Sequence, residues 1–222
     1  LAAARDTLAD PGDPELVTSH AKAALEAVRL LDRQHAASLA GVHRDFDARI
    51  QPLQRPVLAR HRAEILEQLA TASGVAIAGG HVGVLLTRLR LFSLEKALSE
   101  LPVIAWSAGA MAVSRRVVLF HDSPPQGAGN AEVFDAGIGL MRGVVPLPHG
   151  ERRLALDDPL RMSLLALRFA PTACVVPADG CVLWRTSSGW RGNHAALRVH
   201  GNGEVLPMAD APGDDTLANE DS

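Results

Sequence analysis

The chain has 222 residues, 47% of them apolar, and its 22 Lys and Arg against 25 Asp and Glu give a formal charge of −3. That length and apolar share suit one domain with a sizeable core and room for an appendage. Near-neutral charge without a clustered basic segment leaves no nucleic-acid footprint, and no apolar run reaches the length of a membrane span or reads as a signal peptide.

The two cysteines, Cys174 and Cys181, lie in adjacent apolar segments outside any C-x-x-C spacing. They read as free buried thiols, which fits a reducing, cytoplasmic setting. The nine histidines are scattered with no H-x-x-x-H pair on a helical stretch, so neither a metal nor a cofactor is expected. The chain opens on Leu1 without a methionine, which fits a processed product, an excised domain or an internal fragment.

In chain order, residues 1–13 are small and polar and read as loosely ordered. Asp13-Pro14-Glu15 is a helix start, with a capping carboxylate, proline at the first helical position and an acid in the first turn. Leu16, Ala24, Val28 and Leu31 carry near-helical spacing, which predicts an amphipathic helix to about Ala40. Gly41 to Pro56, with two prolines and mixed charge, reads as a connection. A second helix is expected from Val57 to Ala72, with Leu58, Ile65, Leu66 and Leu69 as its buried stripe.

After Ser73-Gly74 the character changes. Val75-Ala76-Ile77-Ala78 is a short apolar run ending in Gly79-Gly80, and Val84 to Leu98 has helical periodicity. A second apolar run, Pro102 to Ala105, stops at Trp106-Ser107, and small residues follow. Alternating apolar strand, glycine turn and helix predicts an α/β domain with a parallel sheet. Val117 to Phe120 reads as a further strand, and His121 to Asn130, rich in Pro and Gly, as a loop of the kind that carries function or moves. Apolar runs follow at 143–147, 172–176, 181–185 and 195–199, the last two as a hairpin or an edge extension. From Pro207 the chain is acidic and polar, which predicts a disordered tail.

Ala105-Trp106-Ser107-Ala108-Gly109 has the chemistry of a nucleophile elbow, in which a serine on a sharp strand-to-helix turn projects its hydroxyl from the sheet. The usual pattern is G-x-S-x-G, and Ala105 stands where the first glycine would be. The same residues also read as an ordinary strand followed by an Ala-rich helix. A serine hydroxyl needs a base within hydrogen-bond reach, and His149 ends an expected strand at the sheet edge, where α/β sites lie. Its alternative is a surface histidine in a Pro/Gly-rich turn. Gly79-Gly80 leads into neither a G-x-G-x-x-G nor a lysine-bearing phosphate loop.

Taken together, these segments resemble the aspartyl dipeptidase and cyanophycinase family of serine peptidases. The resemblance runs from about Gly74 to Val205. Ala76-Ile77-Ala78-Gly79-Gly80 is similar to the family's strand ending in a glycine pair, and Trp106-Ser107-Ala108-Gly109-Ala110 to its nucleophile segment. Phe134-Asp135-Ala136-Gly137-Ile138-Gly139-Leu140 is similar to the segment before the histidine strand, and Val144-Val145-Pro146-Leu147-Pro148-His149 places a histidine where the family has its base. The resemblance implies an α/β fold: a parallel-sheet, three-layer sandwich of the class I glutamine amidotransferase-like type, here with N-terminal helices. Residues 1–73 would then be an N-terminal helical segment, belonging to the same domain or left from a longer one. Residues 74–206 would be the peptidase-like domain and 207–222 the tail.

The resemblance also implies roles. Ser107 would be the nucleophile and His149 the base. Asp179, in Pro177-Ala178-Asp179-Gly180, matches the Pro-Glu-Gly acid of the dipeptidase branch, with aspartate for glutamate; Asp-Gly between two strands is equally a turn signal. The cyanophycinase branch carries its glutamate slightly earlier, where this chain has Phe169-Ala170-Pro171 and no acid. Asp135 is the second choice. An oxyanion hole would use the amides of Ala108 and Gly80. Arg152, Arg153 and Arg161 follow His149, where the dipeptidase branch has a substrate arginine; Arg161 is the candidate, with a solvated helix face as the alternative.

The implied function is hydrolysis of a peptide or amide bond through an acyl-enzyme on Ser107, with a small peptide or amide as the partner. No nucleic acid or membrane partner is expected, and a homo-oligomer is left open. The alternative is a non-catalytic binding or assembly domain that keeps the fold. A glutamine amidotransferase would need cysteine at the elbow, and an α/β-hydrolase would place its acid between serine and histidine, whereas Asp179 follows both.

Overall fold

A computed structural model describes residues 5–7, 12–120 and 131–208. The loop at 121–130 and the tail from 209 onward therefore lie outside the described residues, as do 1–4 and 8–11 of the segment expected to be loosely ordered. The architecture is mixed α/β. Its elements are α1 (Pro14–Ile50), a 3-10 turn (Pro52–Gln54), α2 (Pro56–Thr71), β1 (Val75–Ile77), α3 (Val82–Leu91), α4 (Glu95–Ser99), β2 (Val103–Ala105), α5 (Ala108–Val113), β3 (Arg116–Leu119) and β4 (Glu132–Ala136). There follow β5 (Val144–Pro146), α6 (Gly150–Arg153), α7 (Pro159–Phe169), β6 (Ala173–Pro177), β7 (Leu183–Thr186), β8 (Gly189–Gly192), β9 (Ala196–Val199) and β10 (Val205–Pro207). Among the described residues no helix is long and apolar enough to cross a membrane.

The chain forms two compact units. One comprises residues 1–34, 118–133 and 143–222, the other 35–117 and 134–142.

In the first unit a four-stranded sheet runs in the order β10–β9–β6–β5. Within it β5 and β6 are parallel, with Val144 opposite Ala173 and Pro146 opposite Val175, while β9 is antiparallel to both β6 and β10. Helix α7 covers the sheet, and Met162, Leu165, Ala166 and Phe169 join Val145, Leu147, Cys174, Val176 and Val199 in one buried cluster. This helix is written locally: Pro159 occupies the first turn, and Asp158 accepts a 2.9 Å hydrogen bond from the amide of Arg161. The start of α1 is set the same way, Asp13 Oδ1 accepting from the amides of Glu15 (2.9 Å) and Leu16 (3.4 Å). Only Ala21 and Leu25 of α1 are buried, so apolar packing does little to place it. A fork of charge does more. Arg168 Nε and Nη2 each donate to a carboxylate oxygen of Asp32 at 2.7 Å, and Nη1 donates to the carbonyl of Ala131 at 2.6 Å.

In the second unit β1 and β2 form a parallel pair, with Val75 opposite Val103 and Ile77 opposite Ala105. Helices α3 and α5 pack on one another, burying Leu86, Leu89, Met111, Ala112 and Val113.

Three expectations need correction. Helix α1 continues past Ala40 to Ile50, because the two prolines of the supposed connection lie at its end. Gly41 alone cannot stop a helix, and Gln51 does so in a left-handed conformation (φ 48°) just before Pro52. The helix expected over Val84–Leu98 breaks after Leu91. Arg62 Nε takes the carbonyl of Phe92 at 2.8 Å, the acceptor the next turn would need, and Ser93 turns to φ 46°. The runs at 181–185 and 195–199 do not pair with each other: β7 pairs with β8 across Ser187-Ser188, while β9 lies between β6 and β10. By contrast, α2 lies within one residue of its expected bounds, although its apolar stripe of Leu58, Ile65, Leu66 and Leu69 is half-buried and not buried, and β1, β2, β3, β5, β6 and β9 fall on the apolar runs.

Asp32→Ala should destabilise the chain by about 3 kcal/mol, because it leaves Arg168, with 7% of its side chain exposed, buried without its counter-charge. Chemical denaturation reads this directly. Asp32→Ala/Arg168→Met should recover part of the loss, and a double variant less stable than the single one would contradict this account.

Candidate active site

The elbow segment folds as a strand, a sharp turn and a helix. Strand β2 ends at Ala105 and α5 begins at Ala108, with Ser107 at the N-cap. Ser107 adopts φ 52°, ψ −125°, in a region that side-chain-bearing residues rarely occupy. Such strain persists where the surroundings over-determine it, and it clusters at functional sites. The hydroxyl is not used to cap α5.

Two glycines make the turn sterically feasible. A Cβ on Gly109 would collide with the carbonyl oxygen of Ile77 and lie 2.8 Å from that of Ala78, so α5 can meet the end of β1 only with glycine there. A Cβ on Gly79 would lie 2.9 Å from Ser107 Cβ, 3.0 Å from its Oγ and 3.8 Å from the amide nitrogen of Ala108. The space beside the hydroxyl is thus bounded by Gly79 and the Ala108 amide. Gly80 follows at φ 134°, a conformation that favours glycine, with open space where a Cβ would stand. Gly80 is the residue expected from the sequence; the structure adds Gly79, on which a Cβ would lie within 3.0 Å of Oγ.

The other predicted residues belong to the first unit. His149 lies exposed, three residues beyond β5, in a left-handed conformation (φ 61°) at the start of α6. Asp179 is exposed in the turn after β6. Since β5 and β6 are parallel neighbours, and the amide of Leu147 bonds the carbonyl of Val175 at 2.8 Å, His149 and Asp179 leave the same C-terminal edge of that pair. Edges of this kind are where parallel α/β sheets place their ligands. Arg161 is half-buried on the first turn of α7, and Arg152 and Arg153 are exposed on α6. The structure therefore brings Ser107, Ala108, Gly79 and Gly80 together in one unit, and groups His149, Asp179 and Arg161 in the other.

Asp135, the second choice for the acid, has Arg90 and the imidazole of His43 as its side-chain partners. It is 8% exposed. Arg90 Nη1 donates to Oδ2 at 2.5 Å and Nη2 to Oδ1 at 3.1 Å, while Nη2 also donates to the Ala136 carbonyl. His43 Nε2 stands 3.0 Å from Oδ2 and 2.7 Å from Arg90 Nη1. Burial alone would raise the Asp135 carboxyl, but hydrogen bonds from Arg90 and His43, the Arg90 charge and the Ala136 amide together hold it below its ordinary value of 3.8. The alternation of Val133 and Asp135 on one face of β4 is the sequence signal for a buried acid. Nothing in the sequence identifies partners 45 and 92 residues away. Of the thiols, Cys174 is buried, and partial burial pushes the Cys181 thiol up, away from a reactive thiolate. Among the described residues no group of three or more His, Cys, Asp or Glu is placed to hold a metal ion.

Because the folded state prefers ionised Asp135, its stabilising effect is complete above 3.8 and fades as pH falls below that value. Asp135→Asn should lower the melting temperature at neutral pH and flatten the acid limb of the stability profile. A variant that loses stability in acid as steeply as the parent would contradict the assignment.

Comparison with protein families matches peptidase family S51 over residues 27–185. The match begins inside α1 and ends in β7, so it contains Ser107, His149 and Asp179. No curated protein and no solved structure matches the chain. With the matched region covering well over half its length, the chain belongs to peptidase family S51, the serine peptidase family of aspartyl dipeptidase and cyanophycinase.

Proposed function

We propose that this chain is a serine-type hydrolase that cleaves a peptide or amide bond of a small substrate through an acyl-enzyme on Ser107. The carrying observation is the strained Ser107 backbone, with Gly79 and the Ala108 amide lying beside its hydroxyl. In this reading Oγ attacks the scissile carbonyl carbon while His149 accepts the hydroxyl proton. The amides of Ala108 and Gly80 stabilise the oxyanion that forms. The carbon–nitrogen bond then breaks and His149 returns the proton to the leaving amine. Water then attacks the ester with His149 again as base, the acyl carbon–Oγ bond breaks, and His149 reprotonates Ser107 Oγ as the carboxylic acid leaves. Asp179 orients the imidazole and stabilises its charged form. Its place on the same sheet edge as His149 supports that role. Arg161 serves as the cation for a substrate carboxylate.

The finer fold reading belongs here as well: a three-layer, amidotransferase-like sandwich. The parallel pairs β1–β2 and β5–β6 support it. In that reading residues 74–206 form the peptidase-like domain. The free cysteines support a reducing, cytoplasmic setting.

A fluorophosphonate probe should label the folded chain once, on Ser107, and Ser107→Ala should abolish labelling. Intact-mass analysis reads both. His149→Ala should slow labelling by about a hundredfold or more, a hundredfold being the lower end of a general base's contribution. Gly79→Ala should stay folded yet label much more slowly, because its new methyl group would crowd Ser107 Cβ at 2.9 Å and Oγ at 3.0 Å. A folded chain that resists the probe would instead favour the non-catalytic binding reading.

A further inference from the structure

We propose that Arg90 and Asp135 are positioning residues, whose paired side chains set where the Gly79–Gly80 turn stands against Ser107. The oxyanion role of that turn rests on the hydrolase reading above; the positioning itself does not.

Helix α3 starts at Val82, one residue beyond the glycine pair, with His81 as its N-cap and His81 Nδ1 accepting from the Val84 amide at 3.3 Å. Any shift of α3 therefore carries the turn with it. At the far end of the same helix Arg90 makes its bidentate grip on Asp135 and reaches the Ala136 carbonyl. Beyond Ala136 the chain is sewn to α5 and the residues after it. The amides of Gly137, Ile138, Gly139 and Met141 bond the carbonyls of Arg115, Ala112, Ser114 and Val113 at 2.8–3.2 Å. Gly137 also approaches the Ser114 carbonyl too closely for any Cβ. Helix α5 begins at Ala108, with Ser107 as its N-cap.

The contacts thus close a ring, from Ser107 along α5 to residues 137–141, through Asp135 and Arg90 to α3, and back along α3 to Gly80 and Gly79. The Arg90–Asp135 pair is the polar joint between α3 and β4 in that ring. A planar fork fixes distance and rotation together, which apolar contacts at Leu86 and Leu89 do not. A largely buried pair of this kind, with 23% of the Arg90 side chain exposed and 12% of that of Asp135, adds little net stability over apolar residues of similar volume. What it supplies here is geometry, and that separates a positioning role from a merely structural one.

The test is Arg90→Met/Asp135→Leu, with Asp135→Asn as the milder variant should the first fail to fold. Hydrogen exchange and fluorophosphonate labelling are read alongside melting. The expected result is a melting temperature within about 5 °C of the parent and amide exchange at residues 79–84 faster by about tenfold, with α7 unchanged. Labelling of Ser107 should slow by up to about a hundredfold, the effect of roughly an ångström of misplacement. Unchanged exchange at 79–84 in a folded variant overturns the proposal, as does faster exchange everywhere in step with lost stability. If the parent itself is not labelled, the hydrolase reading falls, and the exchange pattern alone still decides the positioning.

Discussion

The approach of α5 to the end of β1 is the constraint on which the second unit depends. The helix must begin immediately beneath the carbonyls of Ile77 and Ala78, and only a residue without a Cβ can occupy position 109 there. Once Gly109 is so placed, little chain remains to join β2 to α5. The Trp106 amide is bonded to the Ile77 carbonyl at 3.2 Å and the Gly109 amide to the Trp106 carbonyl at 2.9 Å. Ser107 absorbs the remaining rotation by going to positive φ. Its strain is therefore a consequence of packing two elements closer than ordinary residues allow, and Gly79 continues the same requirement on the opposite side of the hydroxyl.

Polar joints do for the helices what buried area does not. Helix α2 has no fully buried residue and α1 has only two, so neither is held chiefly by the hydrophobic effect. Asp32 is fixed by Arg168 in the first unit, and His43 stands against Asp135 and Arg90 in the second. Both joints use an arginine fork near a helix C-terminus, where positive charge also suits the helix dipole. Directional groups of this kind define where a helix lies even when they contribute modestly to whether it folds.

The parts of the chain that were legible in the sequence are those written locally. Asp13 and Pro14 announce α1, the apolar spacing from Leu58 to Leu69 announces α2, and the apolar runs ending in Gly79-Gly80 and Ser107 announce two parallel strands and their turns. Their determinants lie within four residues of the feature they set. The end of α1 departs from expectation because Pro52 lies just past the helix and Pro56 opens α2, so neither proline interrupts the segment from Gly41 to Ile50. The break after Leu91 depends on an arginine 30 residues away, and the buried role of Asp135 on partners farther still. Periodicity reports which face is apolar; it carries no information about which distant cation will meet an inward-facing acid.

Ala105 is the departure from the usual elbow pattern, and the backbone shows why the turn accommodates it. Within the strand, Ala105 pairs with Ile77 in the parallel register and keeps extended geometry. It is not among the described residues with positive φ, which outside glycine are Gln51, Ser93, Ser107 and His149. Glycine at that position would add conformational freedom that this strand end does not use. The requirements that glycine does satisfy are steric and lie elsewhere, at Gly79 beside the hydroxyl and Gly109 beneath the β1 carbonyls, and both are met. The substitution at 105 therefore leaves the geometry of the nucleophile turn intact.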